Sequence, residues 1–514
     1  MLFKEQVMKN LQLFLFSLII FIYLIGCGSS GGGSGGLSNN SLPTFPTDNA
    51  SSNIDDRNDA EIDVPTSSTD TNQVYLSYDD SASTAGVKLT KYYIENDIDV
   101  PSFLARPWEF LNFESFNKNE TAGLGLFDVS LGVLENDSKE SGKKLIDLGV
   151  YLAAPILTKE DRPNINLTIL VDVSGSMRSL SMVNTSFEVK TKKELVLSGL
   201  AQMKNELKEG DLITLISFNT STSILLESYV FADETSSQYT DAVNSLNFNG
   251  GTDLNQGITK AYELATNVYD DQRENRVLLI TDAYANTGVT NATTISNQTN
   301  INNEKGIFFS GVGVGYDFNE LFLDELTEAG KGSYFSLITT DDVGQIFGNR
   351  FMSLIKVAAK DVKVKLEYPS ELTHISSASE ESSANEDEVR SINFTYNSKQ
   401  YFLERFKTDA STDLTDKKFT FVISYSDPVS LEAKEVSISV NISDLKGKED
   451  SNIKDALSIV FLNSLIKGTK TFDDILWEYE NTLKDYTSAL LDEYKLLSYK
   501  FAGKESLLED ADKF

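Results

Sequence analysis

Between residues 165 and 355 two hydrophobic rhythms alternate. Short, wholly apolar runs of strand length are followed by stretches in which apolar positions recur every three or four residues. The run "INLTILVD" leads to a helix presenting Val196, Leu200, Met203 and Leu207, closed by Gly210. "DLITLISF" then turns at "NTST" into "SILLE", a hairpin pattern. After "NGGTDL" a helix carries Leu254, Ile258, Ala261 and Ala265 on one face, and the buried-type strand "RVLLITD" follows. "GIFFSGVGV", a helix through "NELFLDELTEAG", "SYFSLI" and a helix over "DDVGQIFGNRFMSLI" complete the set. Alternation of this kind predicts an α/β unit: a doubly wound, mostly parallel sheet with helices on both faces and one antiparallel edge.

On either side the period drops to two. "LFDVSLGVL" and "KLIDLGVYL" come before; "VKVKLEY", "SINFTY", "QYFLERF", "KFTFVISY" and "EVSISV" come after Lys356. These predict antiparallel strands that join into one β-sandwich with the α/β unit inserted in it. Ahead of the first strands lie a helical stretch around "TAGVKLTKYYIEN" and an aromatic cluster, "ARPWEFLNFESF". From Ser451 the chain reads as helical, through "IKDALSIVFLNSLI" and a longer run over 472–499 in which Leu476, Leu483, Leu490 and Leu497 fall at sevens. So few heptads favour a helical hairpin packed on its own protein over a coiled coil. The expected organisation is a leader at 1–27, a tether at 28–73, an N-terminal flanking region at 74–163, the α/β unit at 164–356, an antiparallel region at 357–446 pairing with 124–155, and C-terminal helices at 451–514.

The N-terminus changes the setting. Lys4 and Lys9 precede an apolar stretch over 11–25, shorter than the roughly 20 residues that span a bilayer. Leu24, Ile25, Gly26 and Cys27 resemble a bacterial lipobox, which implies that Cys27 is lipidated and becomes the mature N-terminus, a membrane attachment through lipid alone. Gly28 replaces the aspartate that resembles an inner-membrane retention signal, so in a two-membrane bacterium the outer membrane or cell surface is expected. The Gly/Ser/Asp-rich stretch 28–73 has almost nothing to bury and is expected to hold the folded part on the order of 40 Å from the lipid.

Charge and rare residues narrow the chemistry. At 514 residues the chain has room for several cores, and its formal net charge is −32. A surface so acidic repels nucleic-acid backbones and anionic headgroups. A single cysteine and a single histidine exclude a disulfide framework, a Cys/His zinc site and any Ser-His-Asp or Cys-His triad not built on His374. His374, after "YPSELT", is expected at the surface or half-buried, and not as a base. No small-molecule cofactor is implied: "GVGVG" at 311–315 lacks dinucleotide-binding spacing.

The informative stretch is "LTILVDVSGSMRSL". An extended segment points residues i, i+2 and i+4 the same way, so Asp172, Ser174 and Ser176 converge at the end of a buried strand, and Gly175 lets the backbone turn beneath them. Ligands of open parallel sheets bind at the strands' carboxyl ends. "NGGTDL" offers Thr252 and Asp253 to that edge, and "LLITDAYANTG" ends its strand in Asp282. Two carboxylates and three hydroxyls, with no nitrogen or sulfur, suit a hard divalent cation: Mg²⁺ foremost, or Mn²⁺ or Ca²⁺. Such a set leaves a coordination position that a partner's carboxylate can take.

Asp172-Val-Ser174-Gly-Ser176, then Thr252, then Asp282, resembles the metal-ion-dependent adhesion site of von Willebrand factor type A (VWA) domains, over 165–355. The resemblance implies that Ser174 and Ser176 bind the ion directly, that Asp172 and Asp282 act directly or through water, and that Thr252 contacts it in a high-affinity form. It also implies that the helix over 341–355 shifts between forms. Ala283 stands where a glycine is often found. "ARPWEFLNFESF" and "AAKDVKVKLEYP" resemble segments flanking the domain in bacterial secreted or lipid-anchored VWA proteins. The expected function is non-enzymatic: capture of an acidic side chain on a protein partner. Envelope scaffolding is the alternative, and metal-dependent hydrolysis a more distant one.

Overall fold

The six strands Tyr334–Leu337, Ile307–Val314, Glu274–Thr281, Ile165–Asp172, Leu212–Phe218 and Thr222–Val230 lie side by side in that order in the computed structural model, which describes residues 71–77, 85–117, 121–182, 189–330 and 332–511. Five are parallel; Thr222–Val230 pairs antiparallel with Leu212–Phe218. Ile165–Asp172 is buried along its whole length, because helices cover both faces. From it the chain runs outward to Leu212–Phe218, then returns to Glu274–Thr281 on the other flank. The carboxyl end of Ile165–Asp172 is therefore a topological switch point, where loops diverge and leave a crevice.

On one face the helices Lys192–Met203 and Ser236–Asn244 pack with the chain's segment before Ile355, through Val196, Leu200, Tyr239, Phe347 and Phe351. On the other, Leu254–Asn267, Ala292–Glu304 and Glu320–Ala329 bury Ile258, Ile295 and Leu323. Ser236–Asn244 and Ala292–Glu304 have no counterpart in the hydrophobic pattern, being rich in Ser, Thr and Asn.

The helix expected over 341–355 is not continuous. It divides into the α-turns Thr340–Gly344, a π-helical stretch Gln345–Asn349 and the α-turns Phe351–Ile355. Gly199 lets Phe347 of the π-stretch press against Lys192–Met203: a Cβ at Gly199 would lie 2.4 Å from the Phe347 ring. Both ends are tied down. Lys88 pairs with Asp342 at the start. At the finish Arg276 Nη2 donates to the Ile355 carbonyl at 3.0 Å and Ser310 Oγ to the Leu354 carbonyl at 2.7 Å.

The flanking strands form two facing sheets. One runs Thr373–Ser377, Lys399–Asp409, Lys143–Ala153, Phe127–Asp137, Ala122–Leu124. The other runs Ser382–Ser383, Thr71–Leu76, Val357–Pro369, Lys418–Ser426, Ala433–Asn441, with Ile392–Thr395 also on Val357–Pro369. Ile146, Val150, Phe402 and Phe406 meet Leu366, Phe419, Phe421 and Ile423 between them. Each sheet joins strands from before and after the α/β unit: Lys143–Ala153 pairs with Lys399–Asp409, and Thr71–Leu76 with Val357–Pro369. The strand Thr71–Leu76 starts inside the stretch expected to be a tether, since Asn72 and Gln73 find backbone partners in Tyr368 and Glu367.

The outer face of the first sheet is covered by Asp450–Ile466, Phe472–Asn481 and Ala489–Phe501, with the N-terminal helices Ala85–Glu95 and Pro107–Phe113. The run expected over 472–499 breaks between Asn481 and Ala489. Leu483 and Leu497 are buried against this protein's own core. Arg405, on Lys399–Asp409, joins the layers: its guanidinium bonds Asp147 at 2.6 and 3.1 Å and Glu478 at 2.6 Å, all three side chains being buried.

His374 departs from expectation. It lies within the strand Thr373–Ser377, buried, with Nε2 2.7 Å from Glu404 Oε2 and its ring against Phe406. Pairing with Lys399–Asp409 turns this residue inward, which a short polar strand conceals. Among the described residues no helix is long and apolar enough to cross a membrane. Cys27 and the stretch expected to be a lipobox lie outside the described residues.

Candidate metal centre

Asp172 is the last residue of its strand and is fully buried. Its Oδ1 accepts the Ser174 backbone N–H at 2.8 Å, and its Oδ2 accepts the Thr281 hydroxyl from the neighbouring strand at 2.7 Å. Ser174 Oγ lies 3.0 Å from Ser176 Oγ; the strand ends at Asp172, and it is the 3-10 turn Gly175–Arg178, not continued extended alternation, that brings the two hydroxyls together. Ser174 is buried and Ser176 exposed, which gives the cluster one side toward solvent.

Backbone bonds lace three loops into one rim. Gly175 N–H donates to the Gly250 carbonyl at 2.9 Å, and Asn249 N–H to the Val173 carbonyl at 2.6 Å. Thr252 receives Asn286 and Thr287 N–H groups on its carbonyl, both at 3.1 Å, while its own N–H reaches Asn286 Oδ1 at 2.9 Å. The loops after Ile165–Asp172, before Leu254–Asn267 and after Glu274–Thr281 are thereby held together. Asp253 takes no part: it caps the helix Leu254–Asn267 by accepting Gln256 N–H at 3.0 Å.

Two oxygens on this rim stand out. Thr252 Oγ1 and Asp282 Oδ1 are buried and have no hydrogen-bond partner. A buried polar atom without a partner carries a desolvation penalty. The other oxygen of Asp282 is 3.0 Å from the ammonium of Lys192, itself buried, which also pairs with Asp317 at 2.7 Å. Ala283 follows with a φ of +58°, the left-handed backbone that glycine adopts without strain.

The electrostatics match this crowding. Burial, reinforced by the neighbouring charge of Asp282, pushes the Asp172 carboxyl up to about 6, against the pull of its bonds from Thr281 and Ser174. Burial, and then Asp317 and Asp282, push the half-exposed Tyr284 hydroxyl up to about 12. Among the described residues no three His, Cys, Asp or Glu side chains gather into a metal-binding group. The rim's donors are instead two carboxylates and three hydroxyls, a set that fits a hard, oxygen-seeking divalent cation.

Sequence reasoning missed Thr281 and Lys192. Thr281 was hidden inside an apolar strand, and Lys192 inside "TKKE", a helix-start pattern in which Thr191 and Glu194 form a capping box.

Residues 167–285 match the family model of the von Willebrand factor type A domain. The chain is 28% identical over 222 residues to the uncharacterized protein YfbK of Escherichia coli, a match covering 43% of this chain and 36% of that relative's length. Among solved structures it resembles a von Willebrand factor type A protein from Catenulispora acidiphila, with 12% identity, a TM-score of 0.39, and coverage of 75% of this chain and 98% of the other. It also resembles the ArnB paralog VWA2 from Sulfolobus acidocaldarius, with 15% identity, a TM-score of 0.36, and coverage of 74% and 98%. With its parallel sheet, its switch-point rim and this family match, the α/β unit of the chain is a von Willebrand factor type A domain, a module that commonly mediates protein–protein interaction.

Proposed function

We propose that the protein is a non-enzymatic, lipid-anchored component of the bacterial cell envelope that captures an acidic side chain of a protein partner through a divalent cation held by Asp172, Ser174, Ser176, Thr252 and Asp282. The observation that carries this reading is the pair of buried, unpartnered oxygens, Thr252 Oγ1 and Asp282 Oδ1, on the rim that also holds Asp172 and the two serine hydroxyls. A hard cation would satisfy both oxygens and offset the burial and, after it, the repulsion from Asp282 that raise Asp172. When bound, the cation supplies a Lewis-acidic position for a carboxylate oxygen.

The chain's own residues do the rest. Asp172 is oriented by Thr281 and by the Ser174 amide, so its carboxylate is fixed before anything binds. Ser176 faces solvent, where a partner arrives. The anchor is assigned to Cys27, and Mg²⁺ is the first choice of cation, with Mn²⁺ and Ca²⁺ as alternatives.

Calorimetric titration of the full chain with Mg²⁺ and Mn²⁺ tests the assignment. Binding should be lost in Asp172→Ala while the fold, followed by circular dichroism, persists. Equal binding by both proteins would refute it. A pulldown from native envelopes with and without chelator then asks whether partner capture depends on the cation.

A further inference from the structure

Lys192 opens the helix Lys192–Met203 yet contributes nothing to its start. A cation in the first turn opposes the helix dipole, and the capping is done by Thr191 and Glu194. Its side chain is 1% exposed, with Nζ 3.0 Å from Asp282 Oδ2 and 2.7 Å from Asp317 Oδ1. Lysine is almost never buried to this degree unless paired. The fold makes room for its stem at Gly315, where φ is +90° and a Cβ would lie 2.4 Å from Lys192 Cε.

The two aspartates it meets differ in setting. Asp282 is fully buried, whereas Asp317 is 39% exposed and its charge is screened by water. The ammonium is thus the counter-charge to Asp282 inside the rim. It holds Oδ2, and the remaining oxygen, Oδ1, is the one left without a partner.

Building on the metal-capture reading above, we propose that Lys192 is a positioning and charge-tuning residue of the rim: it fixes Asp282 with one oxygen free for the cation, and it keeps the loaded site positive enough to demand an anionic partner group. Among the buried groups, with the half-exposed Asp317 acting only as a weakened outer counter-charge, a divalent cation with Asp172, Asp282 and Lys192 leaves one positive charge; with the lysine removed it leaves none. Lys192 therefore weakens retention of the cation and strengthens capture of a carboxylate. A merely structural lysine would do neither.

The test uses the full chain with Mn²⁺ alone, then with acetate as the carboxylate probe, read by calorimetry and by the water-proton relaxation of bound Mn²⁺. Lys192→Met should bind Mn²⁺ about tenfold tighter or more, because a like charge beside the site is gone. Its Mn²⁺-loaded form should bind acetate more weakly, and its metal-free form should melt below wild type. Lys192→Arg, which keeps the charge, should stay near wild type in both affinities. Asp317→Asn, which frees Lys192 from its outer partner, should bind Mn²⁺ several-fold more weakly, and it decides the matter if Lys192→Met fails to fold. A folded Lys192→Met that binds Mn²⁺ no tighter than wild type overturns the proposal, as does an Asp317→Asn that binds equally or tighter. Wild type that binds no Mn²⁺ would overturn the metal-capture reading itself, and this inference with it.

Discussion

The Thr281 hydroxyl donates to Asp172 Oδ2 at 2.7 Å, across two adjacent parallel strands, and accepts the Ala283 N–H at 2.9 Å. One residue thus steadies both the first aspartate of the rim and the turn that follows the second. Thr281→Val keeps the shape and removes both bonds. We expect a loss of stability of about 1–3 kcal/mol, since a buried acceptor and a buried amide are left unpaired. Without its strongest hydrogen bond the Asp172 carboxyl should also rise further, moving the pH midpoint of Mn²⁺ binding upward. Mn²⁺ titrations at several pH values would show it.

Protons and cations should compete at Asp172. Its folded value of about 6 lies above the ordinary aspartate range. A raised carboxyl favours the folded, metal-free protein at low pH, and that contribution is lost as pH rises through the folded value. Cation binding needs the ionised form, so affinity should be flat above about pH 7 and fall by roughly tenfold per pH unit well below 6. Calorimetry between pH 5 and 8 measures the slope; an affinity independent of pH would contradict the assignment of Asp172 as a ligand.

Gly199 sets the distance between Lys192–Met203 and the π-helical stretch. Alanine in place of a mid-helix glycine ordinarily stabilises by up to about 1 kcal/mol. Here the added Cβ would sit 2.4 Å from the Phe347 ring, and overpacking of this kind costs about 1–3 kcal/mol. The clash wins. Gly199→Ala should be destabilised in urea unfolding, and Gly199→Val more so.

Arg405 bonds two buried carboxylates, one on each side of a layer boundary. Arg405→Met leaves Asp147 without its partner and Glu478 with Lys470, at 3.1 Å, and the Thr482 hydroxyl, at 3.0 Å. Breaking a buried ion pair in this way costs about 3–5 kcal/mol. Hydrogen exchange should locate the loss at Phe472–Asn481, which would lose its charged tie to the sheet.

What the chain discloses to a reader depends on how local the signal is. Asp172, Ser174 and Ser176 were legible because they stand within five residues at the end of an apolar strand; the two serine hydroxyls do meet, though through the 3-10 turn Gly175–Arg178 and not through extended alternation. The VWA-type sheet was legible because its apolar runs are long and bounded. Lys192 was not: its burial depends on Asp282, 90 residues away, and local sequence presents it as an ordinary helix start. The helix Ala292–Glu304 is hard to read because, among its described side chains, Ile295 alone lies in a hydrophobic core cluster, amid Asn and Thr of poor helix propensity. His374 was misjudged for a related reason: its partner, Glu404, sits on a strand that sequence alone does not align with it.

Strand Lys143–Ala153 finds its mate, Lys399–Asp409, only after some 250 residues of intervening chain. Whether the chain emerges from a ribosome or from an export channel, the whole VWA domain precedes that mate, so the domain can fold while the earlier strands still lack their partners. The half-made sheet must wait with its hydrogen-bonding edge open, the state in which edge-to-edge aggregation begins. Closing so distant a pair is slow, and the helices from Asp450 onward that roof the sheet emerge later still and complete the shelter.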